Sequence, residues 1–153
     1  MSQTAIDKIW QQYRQQHSEA PDTYAAWAFG DSEEMADALV DLVAEGKKTA
    51  TASNYLLYEL ENEDLPQVGQ LNIILDGKGL PKVIVKTTNV TVVPFDEVTE
   101  NHAFNEGEGD CSLAYWREVH EAFFKRELAP LGKDFHEKIL VVCEDFEVVY
   151  KKE

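Results

Sequence analysis

The sequence is poor in cysteine, in long apolar runs and in basic side chains relative to acidic ones, and each shortage closes off a set of functions. Its two cysteines, Cys111 and Cys143, form neither a C-x-x-C pair nor a cysteine-rich framework. A zinc knuckle and a redox dithiol therefore lack their ligands, and reduced thiols are expected. Apolar runs such as Ile139 to Cys143 fall far short of the roughly 18 residues of a membrane helix. The stretch Met1 to Trp10 is polar, interrupted by Asp7 and Lys8, and has no apolar core of a secretory signal. A cytoplasmic chain with no membrane partner is expected. Fourteen basic against 29 acidic side chains leave a net charge of −15. That field repels polyanions and removes the counterion release that drives general nucleic-acid binding, so extended duplexes are poor partners. A few lysines in a cleft can still hold one phosphate or base, which makes the expected ligand small or short.

What is present is enough for one core: 153 residues, 44% of them hydrophobic, suit a single domain over residues 1–153. Ile6, Ile9, Trp10 and Tyr13 fall at helical spacing and predict a helix ending near His17. Tyr24 to Phe29 is short and aromatic, and Ser32 then caps a helix carrying Met35, Leu39, Leu42 and Val43 that ends at Gly46. A threonine- and alanine-rich strand follows. Gln70 to Leu75 and Lys82 to Val93 form a hairpin across Asp76-Gly77-Lys78-Gly79. Thr99 caps a short helix ending at Gly107, Ser112 starts a longer one, and Ile139 to Tyr150 closes the chain as a strand. Helices and strands intermix without a βαβ rhythm, which predicts an α+β domain around a curved sheet or small barrel.

Two segments and several single side chains can carry chemistry. Gly46-Lys47-Lys48-Thr49-Ala50-Thr51 concentrates ammonium and hydroxyl donors, yet lacks the second glycine of a phosphate loop. Lysines there also serve simply to complement a helix end. Glu106-Gly107-Glu108-Gly109-Asp110 spaces three carboxylates with glycines, without the ligand pattern of a calcium loop, so no metal is expected. Cys111 has His102 and His120 as imidazole candidates, while the acids beside it disfavour a thiolate. Trp27, Phe29, Tyr55 and Trp116 can stack a base or fill the core. Arg117 can hold an acidic loop or a substrate oxygen.

Across most of its length the chain resembles the ASCH domain family, of PUA-like fold. The resemblance runs through Trp27-Ala28-Phe29-Gly30-Asp31-Ser32, Glu45 to Ser53, Glu106 to Asp110 and Trp116-Arg117-Glu118-Val119-His120. The G-x-K-x-x-T element, here Gly46, Lys48 and Thr51, is the hallmark. The resemblance implies a small curved β-barrel with flanking helices, and residues 1–20 would be a helical extension packed on the domain. One bacterial branch, similar in this element, hydrolyses the acetyl amide of acetylcytidine with lysine, threonine and glutamate. The matching residues are Lys48, Thr51 and Glu106. Trp27, Phe29, Lys47, Ser53, Tyr55 and Arg117 are the candidate substrate-binding residues, and no cofactor is implied. Other family members are RNA-binding modules or a ribonuclease, so a nucleoside or short single-stranded RNA is the expected partner class.

In the triad's chemistry Thr51 attacks an amide carbonyl, Lys48 takes its proton as a neutral amine, and Glu106 orients Lys48 or relays the proton. Two conditions attach. Lys48 and Thr51 are an odd number apart, so a turn or bulge must bring them to one side of the strand. Burial must also lower the Lys48 pKa against its acidic surroundings. If it does not, Lys48 is a fixed cation that binds an anion or a developing oxyanion.

Overall fold

The computed structural model describes residues 2–152. In chain order it contains α1 (Ser2–Gln16), β1 (Ala25–Ala28), α2 (Glu33–Ala44), β2 (Ala50–Asn54), α3 (Tyr55–Leu60), β3 (Leu71–Leu75), β4 (Pro81–Pro94), α4 (Glu100–Glu106), α5 (Leu113–Leu128) and β5 (Leu140–Lys151). The strands form one mixed sheet in the order β1-β3-β4-β5-β2. Only β1 and β3 run parallel; the other neighbours are antiparallel. The sheet curls into a half-barrel because β4 and β5 are long and their register shifts at Ile84/Val85 and Thr87/Asn89, where bulges bend the strands. The edge strands β1 and β2 flank the opening.

Helices end where side chains or glycine make them end. Ser32, Thr99 and Ser112 accept hydrogen bonds from Met35, His102 and Tyr115 N–H groups, satisfying donors at the starts of α2, α4 and α5. The α3 turn, Tyr55–Leu60, has no distinct signal in the sequence; Asn54 starts it by accepting from Leu56 N–H. The N-terminal helix packs Ile6, Ile9, Trp10 and Tyr13 onto Leu71, Ile73 and Ile84 of β3 and β4. A second cluster joins α2, through Val40 and Val43, to Phe29, Ile74 and Phe146. A third places Trp116 and Phe124 of α5 against Phe95, Val141 and Cys143. No helix among the described residues is long and apolar enough to cross a membrane.

Candidate active-site cleft

The G-x-K-x-x-T segment is shaped by how α2 stops. Gly46, at φ +84°, lets its N–H bond Val43 O while Lys47 N–H bonds Leu42 O. This is the paired 5→2 and 6→1 closure of a left-handed helix end, which favours glycine. The chain then turns so sharply that Lys48 N–H also meets Leu42 O. Lys48 lies outside β2, which begins at Ala50, so strand alternation does not separate it from Thr51. Both residues line one cleft of about 1110 Å³.

At the floor of that cleft sits a buried ion cluster. Lys48 and Glu106 are each 1% exposed. The Lys48 ammonium donates to Glu106 Oε1 at 3.1 Å and to Glu108 Oε2 at 2.9 Å, and its Nζ lies 5.2 Å from the Phe29 ring centroid. Glu106 Oε2 accepts from His102 Nε2 at 3.1 Å and from the Trp116 indole N–H. His120 stacks on Trp116 with ring centroids 4.2 Å apart. A carbonyl only accepts, so the 2.9 Å contact with Trp116 O places a proton on His120 Nδ1. Its Nε2 then faces Glu106 Oε1 at 3.6 Å. Glu108 reaches Lys48 because α4 ends at Gly107, φ +71°, against the Lys47–Lys48 backbone; a Cβ there would stand 2.3 Å from Lys47 O.

The balance of forces on Lys48 answers the question raised by the sequence. Burial would lower its pKa, but the Glu106 and Glu108 carboxylates outweigh burial and hold it above the ordinary lysine value. Lys48 is an ammonium, not a neutral base. Glu106 is held well below the carboxylate range: burial opposes this, and Lys48, His102 and His120 overcome it. For His102, too, burial works toward a lower pKa, yet contacts with Cys143 and Glu106 raise it to about 10. Glu106, Glu108 and His120 also bring ligand atoms within 4.8 Å of one another. Lys48 already supplies positive charge to both carboxylates, so the cluster is compensated by the chain itself.

The cleft's other wall carries acids of opposite character. Glu144 is 5% exposed, and burial with Asp145 nearby raises its pKa despite a hydrogen bond from Thr87. Glu127 is pushed up to about 7 by burial and by Asp31 and Glu61, and its buried Oε1 has no hydrogen-bond partner. Tyr58 hydroxyl and Ser53 hydroxyl lie 3.0 Å apart. Glu144 was recognisable in principle, since a carboxylate interrupts the apolar strand run Val141-Val142-Cys143; Glu127 and Tyr58 carried no such signal.

Of the expected substrate-binding residues, Trp27, Phe29 and Ser53 line the cleft. The other three do not. Lys47 is exposed and pairs with Glu45 at 3.5 Å, Arg117 reaches Asp96 O at 3.4 Å from an exposed helix face, and Tyr55 begins α3 away from the cleft lining. The reason is periodicity: Lys47 neighbours a buried residue in a turn, and Arg117 follows Trp116 on a helix, so each points away from the side chain beside it.

An open, curled sheet flanked by helices defines a PUA-like domain, here with a buried lysine–carboxylate cluster at the floor of its cleft. The chain belongs to the ASCH domain family, whose profile matches residues 25–150. It is similar to the crystal structure of protein EF3133 from Enterococcus faecalis V583, with 42% identity and TM-score 0.90, covering 97% of this chain and 90% of that one. An ASCH domain from Lactobacillus crispatus JV V101 is 36% identical with TM-score 0.91, covering 96% and 95% of the two chains. No curated protein matches the sequence.

Proposed function

We propose that the protein is a nucleoside-directed amidohydrolase acting on an acylated, cytidine-like base. The observation that carries the reading is the convergence of Lys48, Thr51 and Glu106 on one cleft walled by Trp27 and Phe29. The aromatic walls suit a planar base, and a net charge of −15 favours a nucleoside over a polyanion. Thr51 attacks the amide carbonyl. The Lys48 ammonium, fixed by two carboxylates, stabilises the oxyanion that forms, without reorganising during the reaction. Glu106 positions Lys48 and keeps it charged.

A second reading, noncatalytic binding of a modified nucleoside or short single-stranded RNA, is favoured by the same raised Lys48 pKa, because a permanent cation needs no chemistry to hold an anion. Chromatographic detection of cytidine released from acetylcytidine separates the two, provided thermal melting shows the variants folded. Turnover lost in Thr51→Ala with ligand affinity retained supports the hydrolase. Absence of turnover in the wild-type protein, with binding intact, replaces it by the binding module.

A further inference from the structure

An ammonium cannot accept the Thr51 proton, so the proposed hydrolase needs a base that its lysine does not supply. We infer that Glu144 is that base, acting on Thr51 through its free Oε1. The inference rests on the hydrolase reading and adds to it a residue outside the lysine–threonine–glutamate set.

The placement follows from strand register. Thr51 and Glu144 are direct partners across the antiparallel β2–β5 pair, and Ala52 is opposite Cys143. Ala52 and Cys143 both pack into the core cluster with Trp116 and Phe124. Thr51 and Glu144 therefore share the other face, where both line the cleft. Side chains directly opposite on one face have Cβ atoms about 5 Å apart, within reach of a glutamate and a threonine. The Thr51 hydroxyl has no hydrogen-bond partner among the described residues, Glu144 included, so the contact that moves its proton must form when substrate brings the two facing side chains together. Glu127 and His120 also line the cleft, but both come from α5 and neither is a register partner of Thr51; the His120 Nε2 is turned toward Glu106 Oε1 at 3.6 Å.

Hydrogen-bond direction then fixes which oxygen works. The Trp27 indole can only donate, and it donates to Asn72 Oδ1 at 3.1 Å, as does Gln70 Nε2 at 2.8 Å. The Asn72 amide is thereby oriented, and its Nδ2 donates to Thr87 Oγ1 at 3.1 Å. Thr87 must use its single proton on Glu144 Oε2, at 2.6 Å. One carboxylate oxygen is pinned as an acceptor, while Oε1 has no protein partner among the described residues and belongs to a group that faces the cleft. The chain of bonds runs back to Trp27, a wall of the same cleft, so the device that orients the base is tied to the surface against which a substrate ring rests.

The steps balance. Thr51 Oγ bonds to the amide carbon as its proton passes to Glu144 Oε1, and the carbonyl electron pair moves to an oxygen held by Lys48. Collapse breaks the C–N bond, and the Glu144 proton goes to the departing nitrogen, which leaves as the free amine. Water then attacks the Thr51 ester while Glu144 takes its proton, and that proton returns to Thr51 Oγ as the acid departs. No metal or redox partner enters.

A general base contributes about 100-fold or more to rate. With acetylcytidine as substrate, Glu144→Gln, which keeps the shape and can still accept from Thr87, should lower kcat by about 100-fold or more with KM little changed. A second variant reads the titration. Asp145 adjoins Glu144 on its own strand, Thr87 of β4 bonds it, and the groups that share the cleft with it are Tyr58 of α3, Glu63 and Asp64 after α3, Glu127 and His120 of α5, and the Lys48–Glu106–Glu108 cluster. Because the Thr87 hydroxyl favours the ionised carboxylate, Thr87→Val should move the rising acid limb of kcat to higher pH. Wild-type turnover with undiminished kcat in Glu144→Gln overturns the base and leaves the hydrolase reading standing. An acid limb unmoved in Thr87→Val also counts against the base. No turnover by the wild-type protein removes both.

Discussion

Lys48 is subject to two opposed forces, and the outcome determines its chemistry. Removing an ammonium from water costs several kcal/mol, and only close, well-formed contacts with carboxylates recover that cost. Glu106 and Glu108 at 3.1 and 2.9 Å provide them. Glu106→Gln leaves Lys48 with one ionised partner and is expected to cost about 3–5 kcal/mol in urea unfolding, the range for breaking a buried pair. The pH dependence follows from the direction of each shift. Glu106, depressed in the folded state, contributes stability that is present above the unfolded value of about 4.3 and is lost as pH falls through its folded pKa. His102, raised to about 10, contributes stability that is complete below its unfolded value of about 6.5 and gone above its folded one. Glu127 acts in the opposite sense to Glu106. With a pKa near 7, the folded chain holds its proton more tightly than the unfolded chain does, so stability declines as pH rises from about 4 to 7. Glu127→Gln should abolish that decline and stabilise the protein at pH 8, on the order of 1 kcal/mol after allowance for solvent screening. A pH series of melting temperatures for both proteins checks this, and parallel curves would contradict it.

At the scale of elements, two glycines hold the cluster together for different reasons. Gly46 has φ +84° with open space around its Cα, whereas Gly107 has φ +71° and abuts the Lys47 carbonyl. Gly46→Ala should therefore cost about 1–2 kcal/mol, the left-handed backbone alone. Gly107→Ala adds a backbone clash and should cost about 2–4 kcal/mol. Equal losses on denaturation would show that the α4 end does not press on the Lys48 turn. The sequence made these helix ends legible, since Ser32, Thr99, Ser112, Gly46 and Gly107 are residues whose local chemistry starts or stops a helix. It did not make α3 legible: Tyr55-Leu56-Leu57-Tyr58 is short, apolar and without a distinctive period. Nor could local pattern reveal that Glu108, 60 positions from Lys48, completes its ion cluster, or that Thr51 faces Glu144 across two strands. Such pairings are set by register between distant segments.

On the scale of the whole molecule, the curled sheet leaves an opening between β1 and β2, and the cleft draws residues from both. Trp27 and Phe29 come from the β1 side, while Thr51 and Ser53 come from β2. The fold and the lysine–threonine–glutamate set were readable because they lie in compact motifs; the second, acidic wall was not, because Tyr58, Glu127 and Glu144 belong to three separate elements. The whole-molecule charge points the same way as the cleft's shape. At −15, binding of long RNA should be weak, whereas a neutral nucleoside escapes the repulsion. Filter binding of long single-stranded RNA against calorimetry with cytidine measures the difference, and tight, strongly salt-dependent RNA binding would contradict it.

The proposed hydrolase stands or falls on chemistry at Thr51. Its most direct test is the rate of cytidine formation from acetylcytidine by wild-type protein and by Thr51→Ala, with nucleoside affinity measured on the same samples. Wild-type turnover is expected to fall by about 100-fold or more in Thr51→Ala while affinity is retained. Equal rates in the two proteins, or no cytidine from either, would contradict it.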